Sequence, residues 1–180
     1  MIRFSTAVLT LTALLLASGG RAIAQQPSPA ATATATIAGA SITIQYSAPS
    51  VRGRRIFGAG NLLSKDPTYP VWRAGANAAT TMRTSADLDF GGLRVPRGTY
   101  TLYVNVRDPN AWELVVNKQT GQSGLEYDAK QDLGRVKMTM SKPPALVETL
   151  RYDIRDSGGG KGELRLAWEN HIASVPIAAR

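Results

Sequence analysis

Three stretches hold the side chains best suited to chemistry: "VWRAGANAATT" at residues 71–81, "GLEYD" at 124–128 and "VRGRRIFG" at 51–58. In the first, Arg73 offers a planar fork of donors and Asn77 offers both a donor and an acceptor. Those groups suit a carboxylate or a sugar hydroxyl, with Trp72 as an apolar wall. Gly75 and Asn77 allow a turn, and Pro70 biases Tyr69 toward extended backbone. On an extended chain, Trp72 and Arg73 point to opposite sides. The competing reading is therefore structural: Trp72 plugs the edge of a sheet, and Arg73 makes an ion pair at the surface.

In the second stretch, Glu126 and Asp128 share a face if the chain is a strand. A carboxylate pair divides acid and base work in glycoside hydrolysis only at defined separations, which spacing along a loop does not establish. In the third, Arg52, Arg54 and Arg55 repel one another unless solvent or an anion intervenes. Other chemistries find little support. His171 is the sole histidine and there is no cysteine, so His-rich and thiolate zinc sites are excluded. No Gly-x-Ser-x-Gly elbow is present. Asp66, Asp87, Asp89, Glu126 and Asp128 show no calcium-loop spacing. Gly158 to Gly160 lacks the Lys-Ser/Thr pair of a phosphate-binding loop. Neither a metal site nor a cofactor is expected.

These groups need a scaffold, and the chain's patterning says which. Residues 1–24 read as a signal peptide: Arg3, an apolar run over 7–17 and small residues Ala22 and Ala24 before a cleavage point. That run is shorter than the roughly 20 residues of a membrane span, so cleavage is expected, with an uncleaved N-terminal anchor as the alternative; cleavage would leave no transmembrane segment, and a periplasmic or secreted location is expected. The 180-residue chain carries 21 basic and 13 acidic residues; losing Arg3 and Arg21 with the leader leaves 19 basic. No basic run exceeds Arg54-Arg55, so there is no specific nucleic-acid signal. Residues 25–40, rich in Ala and Thr, read as a flexible low-complexity spacer. From 41 to 178, period-two alternation dominates. Ile42, Ile44 and Tyr46 share a face, as do Tyr100, Leu102, Val104 and Val106. The same holds for Leu114 with Val116, Val136 with Met138 and Met140, Leu150 with Tyr152 and Ile154, and Leu164 with Leu166 and Trp168. Hairpins are expected at Gly91-Gly92, at Asp108-Pro109-Asn110 and across a mobile glycine-rich loop at 156–162. With no long helical face to cover these stripes, one antiparallel β-sandwich domain is expected, with a closed barrel as the alternative.

Four segments, "YSAPSVRGRRIFG", "VWRAGANAATT", "LRVPRGTYTLYV" and "WELVVNKQTGQSG", in this order resemble the exported bacterial family of domain of unknown function 2911 (DUF2911). The likeness runs from about residue 42 to 168. It implies a secreted or periplasmic β-rich domain with no established reaction, ligand or cofactor. Where family members carry a glycine before Val-Trp-Arg, this chain has Tyr69-Pro70. Where they carry loop aromatics after Asn-Lys, it has Thr120 and Ser123.

The functional expectation is a noncatalytic binding module for a small polar ligand, a glycan or an envelope protein. Trp72, Arg73, Asn77, Tyr103 and Lys118 are its expected contacts. A hydrolase of cell-envelope sugars using Glu126 and Asp128 is one alternative, and a structural adaptor is another.

Overall fold

The computed structural model describes residues 27–180, so the expected leader over 1–24 lies outside the described residues. The chain forms two antiparallel sheets packed face to face. In chain order the strands are β1 (Ala30–Ile37), β2 (Ala40–Ser47), β3 (Val71–Trp72), β4 (Thr80–Thr84), β5 (Leu88–Phe90), β6 (Leu93–Val95) and β7 (Gly98–Asn105). They continue with β8 (Glu113–Asn117), β9 (Asp132–Lys137), β10 (Thr139–Ser141), β11 (Val147–Gly158), β12 (Lys161–Glu169) and β13 (His171–Ala179). The first sheet runs β1-β2-β4-β7-β8-β9, with β3 also paired to β7; the second runs β11-β12-β13-β5-β6, with β10 paired to β13. The expected sandwich is therefore the fold. Its core is the set of stripes read from the sequence, including Ile42, Ile44, Leu102, Leu114, Leu164 and Leu166, all nearly or fully inaccessible. Burying each such side chain contributes about 1.5–3 kcal/mol.

The 25–40 segment corrects the expectation of a flexible spacer. Residues 30–37 form β1, paired along its whole length with β2 from Ala30 opposite Ser47 to Ile37 opposite Ala40. Thr32, Thr34 and Thr36 face outward, while Ala33 and Ile37 are buried. Low complexity here is the alternation of an edge strand whose inner face is small until its end. Ile37 fills the gap: a Cβ added to Gly162 would lie 2.5 Å from its Cδ1, so the isoleucine packs on the bare backbone of β12.

Two further differences concern the ends of elements. The stripe Val136, Met138, Met140 belongs to two strands on different sheets, with Met138 as the crossing point, its N–H bound to the Trp112 carbonyl at 2.8 Å. Alternation continues through the crossing because both sheets present their inner face to the same core. The loop expected to be mobile at 156–162 is narrower than its glycines suggest. β11 continues to Gly158, opposite Lys161, and only Gly159 and Gly160 turn, both with φ in the left-handed region at 60° and 73°. The other two hairpins occur as expected, Phe90 opposite Leu93 and Asn105 opposite Glu113.

Candidate functional site

The Trp-Arg-x-Gly-Ala-Asn segment leaves β3 and turns sharply at one end of the sandwich. Ala74 and Asn77 both adopt left-handed backbone, with φ of 51° and 56°. The turn is held from beneath. The Ala74 carbonyl accepts from the buried Tyr152 hydroxyl (2.9 Å) and from Thr80 Oγ1 (3.1 Å), and the Gly75 carbonyl accepts from Trp72 Nε1 (3.0 Å). Burial raises the Tyr152 phenol, which keeps it a donor. Gly75 has to be glycine because a Cβ would stand 2.7 Å from Thr80 Oγ1.

Trp72 is a core residue. It stacks on Trp168 with ring centroids 5.5 Å apart and planes 21° from parallel, and Phe57 meets both rings edge-on. Phe57 also contacts Trp112 and His171, and the His171 imidazole lies nearly parallel to Trp112 at 5.2 Å. Burial holds the imidazole below its ordinary value and outweighs the opposing pull of the Glu169 carboxylate; Lys142 adds to the lowering. Glu169 Oε2 stands 3.4 Å from His171 Nδ1, close enough for an ion pair when the ring is protonated. The other Glu169 oxygen accepts from the Ile56 N–H at 2.8 Å.

Arg73 emerges beside this aromatic cluster. Its Nη2 pairs with Asp66 Oδ2 at 3.2 Å, while Asp66 Oδ1 accepts from the Thr68 N–H and hydroxyl. Trp72 and Arg73 both line a cleft of about 420 Å³, within the roughly 300–1,000 Å³ of small-molecule sites. Arg54 and Lys65 bring two further cations to it, and Leu62 and Leu125 form exposed apolar lips. Arg54 is partly committed: its Nε and Nη2 hold the carbonyls of Val51 and Ser50. Two residues of the lining also carry donor atoms buried behind the cleft surface. Arg73 Nε and Trp168 Nε1 are inaccessible atoms without a hydrogen-bond partner among the described residues. Buried polar atoms are seldom left in this state, because each forfeits its hydration without a replacement.

The remaining expected contacts are dispersed. Asn77 is exposed, does not line the cleft and donates through Nδ2 to the Ser28 carbonyl at 3.1 Å. Lys118 is exposed at the end of β8 and likewise stands outside the cleft. Tyr103, expected to face outward as a supporting contact, is fully buried. The loop after β8 folds over it: its hydroxyl donates to the Glu126 carbonyl at 2.6 Å, and Tyr127 packs edge-on at 5.0 Å. Val71, Tyr103 and Val115 thus make a second small core on the outer face of the first sheet. Burial and the adjacent Asp132 push Tyr127 up to about 12, and its hydroxyl bonds both Asp132 and Arg135.

This loop also meets the Arg73 segment directly, through a bridge between Ala78 and Ser123. Gly124 makes the approach feasible, since a Cβ there would lie 2.6 Å from both Arg73 Cδ and the Asn77 carbonyl oxygen. Glu126 and Asp128, on the same loop, are exposed and outside the cleft. Asp128 caps the short 3-10 turn at Ala129–Gln131 by accepting from the Lys130 N–H. Among the described residues, no three acidic or histidine side chains gather where they could hold a metal ion. Nor is any helix among them long and apolar enough to cross a membrane.

Asp66, Lys65, Leu62, Leu125 and Trp168 enter the site only through the fold. Nothing in their local sequence marks them, apart from the Asp-Pro-Thr turn that fixes Asp66.

The model of the family described as protein of unknown function (DUF2911) matches residues 28–177. The chain belongs to this family. No curated protein and no solved structure matches the chain. The DUF2911 match starts two residues before β1, in keeping with that strand's place in the domain.

Proposed function

We propose that this DUF2911 domain is a noncatalytic binding module, exported to the periplasm or beyond, whose ligand seats in the cleft beside Arg73. The observation that carries the reading is a cleft of ligand size lined by three cationic side chains, Arg54, Lys65 and Arg73, of which Lys65 is exposed and Arg73 is 18% exposed. A ligand offering acceptors would pair with these cations, and with Asp66 the one carboxylate in the lining it would be favoured if negatively charged. The walls are rigid because the turn is fixed by Tyr152, Thr80 and Trp72. Export is favoured by the leader-like pattern of the first 24 residues.

Calorimetric titration of the purified protein with a panel of oligosaccharides and organic acids tests this, repeated with Arg73→Gln. At least one compound is expected to bind, with affinity reduced in the variant. Identical affinities for the two proteins would remove the assigned site.

A further inference from the structure

We infer that the cleft takes a monocarboxylate joined directly to an apolar body, as in a medium-chain fatty acid, an inference that rests on the binding reading above. One part of the cleft supplies donors and charge. Arg73 stays 18% exposed beside Asp66, and Arg54 lines the same cleft. Lys65 is exposed at the mouth, and no described carboxylate pairs with its ammonium. Another part supplies apolar surface. Leu62 and Leu125 are 37% and 46% exposed, two of only four large apolar side chains exposed among the described residues, and both stand on this cleft. Pro49 and Pro67 extend the apolar wall. Cations and wetted leucines share this cleft, and one amphipathic acid covers both.

The donor and acceptor balance narrows the class further. A sugar brings many hydroxyl donors, whereas two acceptors of the lining already hold hydrogen bonds. Asp66 accepts from Arg73 and Thr68, and the Gly75 carbonyl accepts from Trp72. A polyanion would meet Asp66 beside the cations and would leave Leu62 and Leu125 wetted. One carboxylate carrying an apolar body fits a lining that sets Arg54, Lys65 and Arg73 beside exposed leucines. The C-terminus of a hydrophobic peptide offers the same carboxylate beside an apolar group, at the cost of amide donors that need acceptors.

The test is calorimetric titration of the purified protein with octanoate, 1-octanol, acetate, acetyl-Leu-Leu, citrate and chitotriose. Octanoate is expected to bind at least about tenfold more tightly than 1-octanol or acetate, a ratio that loss of a charge-assisted hydrogen bond or of a buried chain would each produce. Arg73→Gln and Leu125→Asn are each expected to weaken octanoate by about tenfold. If Arg73→Gln does not fold, the exposed positions carry the test through Lys65→Gln and Leu125→Asn. Tighter binding of acetyl-Leu-Leu than octanoate supports the same chemistry and identifies a peptide C-terminus as its source. Equal affinity for octanoate and 1-octanol, or octanoate affinity unchanged in both exposed-position variants, overturns the inference. Arg73-dependent binding of citrate or chitotriose without octanoate overturns it while leaving the binding module intact, and no binding by any compound removes both.

Discussion

Gly124→Ala isolates the contact that joins the loop after β8 to the Arg73 turn. The added methyl would meet Arg73 Cδ and the Asn77 carbonyl oxygen, each at 2.6 Å, and the Ala78 carbonyl carbon at 3.2 Å. The arginine stem can swing only by loosening its pairing with Asp66, and the Asn77 backbone is fixed by the neighbouring Ala78–Ser123 bridge. Relief must come from the loop moving outward, and with it Leu125, a lip of the cleft. Overpacking of this kind costs about 1–3 kcal/mol. For a domain of this size, about 2 kcal/mol corresponds to a fall in melting temperature of roughly 4–8 °C. Gly121→Ala is the control: it lies in the same loop with open space around its Cβ direction, and carries only the penalty of its φ of 81°, about 1–2 kcal/mol. Urea denaturation of the three proteins reads the difference. A Gly124→Ala midpoint indistinguishable from wild type would show that loop and turn are not in contact, and the described cleft would lose one wall.

Ile37→Ala is expected to cost about 2–5 kcal/mol, because the side chain is fully buried against Gly162; a change below the error of urea denaturation would return residues 30–37 to the status of a spacer. Tyr103→Phe removes the donor to the Glu126 carbonyl and should cost about 1–2 kcal/mol, with faster amide exchange over 118–131; exchange unchanged in that loop would refute its anchoring role. The sole histidine gives a single imidazole signal in a proton NMR titration, and its midpoint is expected below 6.5 because burial destabilises the charged ring. Since the unfolded chain then binds the proton more readily, this group's contribution to stability is complete above 6.5 and is lost as pH falls through the lower folded value. A midpoint at or above 6.5 would mean that Glu169 dominates instead.

The alternation around Leu102, Leu114, Leu150 and Leu164 was enough to dictate a two-layer β fold, because each stripe has to be covered by another of its kind. The Gly91-Gly92 and Asp108-Pro109-Asn110 turns were legible for an equally local reason: their backbone demands are met by those residue types. The Ala-Thr run misled because low complexity hides a strand when the buried residues are small and their partner surface is another strand's bare glycine. Trp72 and Arg73 could be singled out by type, but not the fact that they share a cleft, nor that Tyr103 and Lys118 stand apart from it. Asp66, Leu125 and Trp168 lie at sequence distances of 7, 52 and 95 residues from Arg73, and only the packing of two sheets and the loop over Tyr103 brings them to one place. Local side-chain preference, in short range along the chain, determined the layers; which donors find partners was decided by tertiary contacts, since a hydrogen bond is satisfied or forfeited only where distant groups meet.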